Sequence, residues 1–120
     1  MIAGGTGITP FMQILVDAAA EVDGPELSLI FCNKTEQDIL LKDQLDSLSE
    51  QGLNLHYVVE SPSENWNGHT GLLNEDLIED LIPNPSDGHL VMHCGQPGMN
   101  EFVRELLLDL GHSENNVFQY

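Results

Sequence analysis

Hydrophobic and polar positions along this chain follow two periods that take turns. Met1, Ile2 and Ala3 form a short apolar run, as a strand buried on both faces would, and the glycine-rich turn Gly4-Gly5-Thr6-Gly7 follows it. From Pro10 the apolar residues fall at Phe11, Ile14, Leu15, Ala18 and Ala19, a helical spacing that stops before Asp23-Gly24-Pro25. Leu27 to Cys32 is a second apolar run, and Asn33-Lys34-Thr35-Glu36 is the loop at its end. A helix then carries Leu41, Leu45 and Leu48 on one face and ends at Gly52. Leu53 to Glu60 alternates in part and predicts a third strand, while Ser61 to Thr70 is polar and reads as a loop holding Trp66. Asn74 caps a short helix over 75–81 whose first turn is acidic, and Pro83 to Gly88 is a break. His89 to Cys94 is a fourth strand, closed by a second glycine turn, Gly95-Gln96-Pro97-Gly98. Met99, Phe102, Val103, Leu106, Leu107 and Leu110 give a helical face stopped by Gly111, and Val117 to Tyr120 is a short last strand.

Strands alternating with helices are βαβ units. They predict an α/β fold, a doubly wound, five-stranded parallel sheet in the order 3-2-1-4-5 with helices on both faces. Ligands of such sheets lie at the carboxyl ends of the strands, where the strand order reverses. The two glycine turns follow the first and fourth strands, so this topology brings both to one crevice. The first turn leads into a helix with Thr9 expected as its cap and Pro10 at its first position. A helix start behind a glycine turn suits an anion, because its free N–H groups point outward. The loop lacks the lysine of a Walker-type site, and from Gly5 it reads G-x-G-x-x-P rather than a full G-x-G-x-x-G.

Composition narrows the partners. At 41% hydrophobic residues over 120 positions, the chain can bury a core, and no apolar run is long enough to span a membrane. Twenty acidic residues against Lys34, Lys42 and Arg104 give a formal charge of −17, a field that repels nucleic acid and anionic membrane. A bound phosphate must then rely on backbone N–H groups, or on basic residues of another domain. The acidity itself fits a solubilising surface, a basic protein partner or a salt-adapted source. Cys32 and Cys94 have neither disulfide-scaffold nor zinc spacing and fit a reducing compartment. The five histidines show no ligand spacing, with His89 and His93 too far apart along one strand to share a metal. No leader peptide is visible, and because the first residues look like the inside of a domain, the natural start is expected upstream.

The string Gly4-Gly5-Thr6-Gly7-Ile8-Thr9-Pro10, preceded by Met1-Ile2-Ala3, resembles the pyridine-nucleotide motif of the ferredoxin–NADP reductase superfamily. It is most similar to the branch that holds cytochrome-b5 reductase and the flavin part of nitrate reductase. Cys94-Gly95-Gln96-Pro97-Gly98-Met99 resembles that branch's Cys-Gly-Pro-Pro-Pro-Met, with Gln96 and Gly98 in place of two prolines. Asn33 to Leu41 resembles its Asn-x-Thr-Glu-x-Asp-Ile-Leu-Leu run, and Asp38 is expected to tie this loop to the start of the following helix as a cap. The resemblance implies that Gly4, Gly5, Thr6, Gly7 and Thr9, with Gly95, Gln96, Pro97 and Met99, hold NAD(H), that Asn33 and Lys34 touch it, and that Cys94 lies by the nicotinamide. Glu60 ends the third strand, where a carboxylate either accepts the adenine ribose hydroxyls and repels a 2′-phosphate or is one more solvated acid.

The resemblance further implies that residues 1–120 are the NAD(H)-binding domain of a larger flavoprotein whose FAD-binding barrel is not in this chain. The parent would pass electrons from NADH through FAD to a haem protein such as cytochrome b5. It would lie on the cytoplasmic side, with any membrane anchor upstream of this segment. The chain alone is expected to bind nucleotide weakly and to catalyse nothing, since the cofactor carries the redox chemistry. The alternative is a stand-alone nucleotide-binding or interaction domain without catalytic activity.

Overall fold

The computed structural model describes all 120 residues, Met1–Tyr120. Its centre is a six-stranded sheet, ordered β4-β3-β2-β1-β5-β6, in which every pairing is parallel. The strands are β1 (Ile2–Gly4), β2 (Ser28–Asn33), β3 (Asn54–Val59), β4 (His69–Thr70), β5 (Val91–Cys94) and β6 (Val117–Gln119). The helices are α1 (Thr9–Ala19), α2 (Lys42–Glu50), α3 (Glu75–Leu81) and α4 (Pro97–Asp109).

Successive side chains on each strand point to opposite faces, and the two faces bury separate clusters. Ala3, Leu29, Phe31 and Val59 pack with Phe11 and Leu15 of α1 and Leu45 and Leu48 of α2. Ile2, Ile30, Val58 and Val91 pack on the other face with Ile78 of α3 and Val103 and Leu107 of α4. The sheet is therefore wound on both sides, as the near-continuous apolar runs of β1 and β2 require.

The predicted five strands occur in the predicted relative order, and a sixth is added. β4 lies inside the segment expected to be loop and pairs with the end of β3, Val58 against His69 and Val59 against Thr70. Two residues are too few to show a period in the sequence. What holds them is local: the Gly71 N–H donates to the Val59 carbonyl at 2.9 Å, and Trp66 Nε1 donates to the His69 carbonyl at 3.0 Å.

Smaller differences lie at element ends. Gly5–Ile8 forms a 3₁₀ turn that runs directly into α1, so Ile8 takes the capping position and Thr9 is the first helical residue. The Thr9 hydroxyl donates back to the Thr6 carbonyl at 2.9 Å instead of capping α1. The N–H groups left without helical partners are then those of the glycine turn itself. Leu41 precedes α2 with φ 57° rather than opening its helical face. His89 lies before β5, its Nδ1 2.7 Å from the Asn84 carbonyl oxygen, so it does not share a strand with His93. Asn74 caps α3 as expected, its Oδ1 accepting from Leu77 N–H at 2.9 Å.

Burial is the leading cause that lowers the pKa of His56, His93 and His112 below the ordinary value of 6.5. A histidine that is harder to protonate when folded stabilises the fold above its unfolded pKa, and that stability is lost as pH falls through about 6.5 and below. Urea unfolding should therefore show lower stability at pH 5.5 than at pH 7.5, with a smaller difference in His112→Leu. Parallel pH profiles for the two proteins would contradict this assignment.

Candidate functional site

Both glycine turns sit at the carboxyl edge of the sheet, where β1 and β5 are neighbours. Their approach depends on missing side chains. Gly5 has φ +53°, a backbone that favours glycine, and turns the chain out of β1. A Cβ on Gly7 would collide with the carbonyl of Cys94. A Cβ on Gly95 would stand 2.7 Å from the Met99 sulfur, and one on Gly4 would collide with that same atom. Met99 thus fills the space between the turns, and its thioether is a packing element as well as part of the surface.

Along this edge runs a groove of about 1100 Å³. Of the residues singled out in the sequence, Gly4, Gly5, Thr6, Gly7, Thr9, Asn33, Lys34, Glu60, Cys94, Gly95, Gln96 and Met99 all line it. Pro97 does not: it is the first residue of α4, where a missing N–H costs nothing, and it starts the helix. Cys32, Gln37, Asp38, Leu40, Leu72, Leu73 and Phe102 also line the groove. Phe102 follows Met99 by three and fits the helical core pattern, yet it is 44% exposed and turns to the groove. Leu72 is 69% exposed, an apolar residue at the rim that periodicity assigns to no face.

The loops after β2 and β3 are zipped together beyond the strands. Glu60 N–H donates to the Asn33 carbonyl at 3.1 Å and Ser61 N–H to the Lys34 carbonyl at 2.9 Å. Glu36 accepts from the Ser63 N–H, and this hydrogen bonding lowers its pKa. Asp38 Oδ2 accepts from the Thr35 hydroxyl at 2.8 Å and the Thr35 N–H at 3.2 Å, closing a 3₁₀ turn at 36–38 rather than capping α2. Burial, reinforced by the Glu60 carboxylate, pushes the Cys32 thiol up to about 12, so it is protonated and inert. Cys32 and Cys94 are both free, and they pack on opposite faces of the sheet.

Two features suit an anionic, hydrogen-bonding ligand. Asn33 is 7% exposed and its side-chain donor Nδ2 has no partner in the protein. Lys42 pairs with Asp46 at 2.7 Å and Arg104 with Glu114 at 3.0 Å, leaving Lys34 the one cationic side chain without an ion pair. It lies in the groove. Asn33 and Lys34 both line the groove together with the first glycine turn, in a chain that otherwise repels anions.

A stability comparison checks the packing. Gly7→Ala should destabilise the domain by about 1–3 kcal/mol, because two backbones must separate. Gly98→Ala, which meets nothing within 4 Å, should be neutral or stabilising by up to about 1 kcal/mol. Chemical unfolding of the two variants measures both, and equal effects would contradict the close contact at Gly7.

Both the sequence and the fold match known proteins. The family model described as "Oxidoreductase NAD-binding domain" matches residues 1–105. The chain is 40% identical over 123 residues to NADH-cytochrome b5 reductase 1 of Dictyostelium discoideum, covering 100% of this chain and 43% of that protein. It is 41% identical over 125 residues to NADH-cytochrome b5 reductase 2 of Danio rerio, covering 100% of this chain and 40% of that protein. Among solved structures it matches the cytochrome b5 reductase domain of Ulva prolifera nitrate reductase with a TM-score of 0.93 and 29% identity, over 100% of this chain and 48% of that one. The NAD+ form of the CS-b5R domains of human Ncb5or matches with a TM-score of 0.86 and 34% identity, over 99% of this chain and 35% of that one. The chain thus spans less than half the length of each of these proteins.

Proposed function

Because the chain belongs to the family of oxidoreductase NAD-binding domains, we propose that residues 1–120 form the NADH-binding half of an FAD-dependent reductase that delivers electrons to a haem protein such as cytochrome b5. The observation that carries this is the meeting of two glycine turns, Gly4–Gly7 and Gly95–Gly98, in one groove with Cys94 beside them. FAD, which a separate domain would hold, would supply the acceptor for the NADH hydride.

The chain's own residues bind and orient. The N–H groups of Gly5, Thr6 and Gly7 would hold the pyrophosphate, and Lys34, in the same groove, would supply positive charge. Asn33 offers its unpartnered donor to the same ligand. Glu60 accepts from the adenine ribose hydroxyls. Cys94, at the end of β5, would orient the nicotinamide as a small, polarisable wall of the groove. Gln96 and Met99 frame that end of the groove. Free thiols at Cys32 and Cys94 support a reducing compartment, and no helix of this chain is long and apolar enough to cross a membrane. Strong acidity argues against a nucleic-acid partner.

Two substitutions test the assignment in the flavoprotein that carries this domain. Cys94→Ala should slow flavin reduction by NADH in stopped flow about tenfold or more while changing the NADH Kd much less. If Kd and rate change together, the positioning role of Cys94 is wrong.

Glu60 should set the choice of nucleotide. A 2′-phosphate placed beside its carboxylate costs about 2 kcal/mol or more, at least about tenfold in affinity. NADH is therefore expected to be preferred, and Glu60→Thr or Glu60→Arg should weaken or reverse the preference. The measurement is kcat/KM for NADH and NADPH at fixed ionic strength. An unchanged ratio in the variants would remove Glu60 from the ribose site.

A further inference from the structure

Beneath the second glycine turn lies a buried polar chain that no step above has used. His93 stands one residue before Cys94 on β5 and is 1% exposed. Asn100, in the first turns of α4, is 7% exposed. His93 Nδ1 is 3.0 Å from Asn100 Oδ1, and Asn100 Nδ2 donates to the Gly95 carbonyl at 2.9 Å. Because the amide nitrogen is committed to Gly95, the amide oxygen is the acceptor and the ring proton of His93 sits on Nδ1. Nε2 is then a bare acceptor, buried and without a partner.

This arrangement is expensive in stability. Two apolar side chains of similar shape would fill the same space and leave no buried acceptor unpaired. What hydrocarbon could not do is fix the direction of a carbonyl. The Gly95 carbonyl takes its hydrogen bond from the Asn100 side chain rather than from a main-chain N–H. Burial, with Arg104 acting in the same direction, keeps His93 neutral against the opposing pull of the Asn100 bond. What orients the amide oxygen is the proton on Nδ1.

Resting on the function proposed above, we propose that His93 and Asn100 are positioning residues for hydride transfer. The His93 ring orients the Asn100 amide, the amide holds the Gly95 peptide, and the held peptide keeps Cys94 and the Gly95–Gln96 turn in one geometry against the nicotinamide. Slack at Gly95 would reach both turns, since Cys94's carbonyl abuts Gly7 and Gly95 abuts Met99.

The test uses the flavoprotein that carries this domain and, for the tautomer, the 15N-labelled chain. Asn100→Asp keeps the shape but has no N–H for Gly95, and Asn100→Leu removes both bonds. His93→Gln retains a donor for the amide oxygen, whereas His93→Leu does not. With NADH, the limiting rate of flavin reduction should fall about tenfold or more in both Asn100 variants and in His93→Leu, with the NADH Kd within about threefold of wild type. His93→Gln should keep most of the rate. In the 15N spectrum of the chain, His93 should be neutral and protonated on Nδ1.

Limiting rates within about twofold of wild type, measured well below each variant's Tm, would overturn the proposal, as would a His93 ring protonated on Nε2. Should the Asn100 variants fail to fold, the His93→Gln and His93→Leu pair decides. A wild-type flavoprotein that neither binds NADH nor is reduced by it would sink the function proposed above and this inference with it. An active wild type with unaffected variants would sink this inference alone.

Discussion

The distance between Gly7 and the Cys94 carbonyl governs the molecule. Two strands that are neighbours in the sheet, with Ile2 beside His93 and Ala3 beside Cys94, each end in a turn, and the turns touch because one of them lacks a Cβ. That contact makes two loops into one surface. It also explains why Met99 is shaped into the gap, its sulfur standing where side chains on Gly4 and Gly95 would be. The rest of the sheet serves this edge: β2 and β3 carry Asn33 and Glu60 to it, and the zipped loops beyond them keep Lys34 close to Glu60 in sequence register.

Charge is the second constraint. A domain with formal charge −17 offers an anion almost nothing by long-range attraction. In the proposed site, binding rests on short-range donors: the main-chain N–H groups of the first turn, the buried Nδ2 of Asn33 and the one unpaired cation, Lys34. Such donors act through geometry, so the stiffness of the two turns matters more here than in a basic protein. The buried His93–Asn100–Gly95 chain belongs to the same logic, spending stability to hold a peptide still.

Much of the fold was legible in the order of apolar runs. Ile2 and Ala3, or Leu29, Ile30 and Phe31, could be uninterrupted because both faces of the sheet are covered, and that pattern forces the parallel, doubly wound arrangement. That topology by itself brings both glycine turns to one crevice. What periodicity could not carry was short or local. β4 is two residues long and exists through Trp66 and Gly71, not through its own pattern. Thr9 looked like a cap because its hydroxyl can accept, but a 3₁₀ turn had already supplied the helix start, so it donates instead. Phe102 shares helical spacing with true core residues, and only the position of the groove separates it from them. Nothing in the sequence pairs His93 with Asn100, since their contact needs β5 and α4 to fold back on each other.

The central claim is that the two glycine turns form one NADH site. The direct measurement is a titration of the 15N-labelled chain with NADH, followed by its backbone amide resonances. Gly5, Thr6 and Gly7 should shift together with Gly95 and Gln96 along a single binding curve, with Asn33 and Glu60 moving in step. Shifts confined to one turn, or centred on the smaller cavity of about 270 Å³ near Ile14, Pro83 and Leu90, would contradict it.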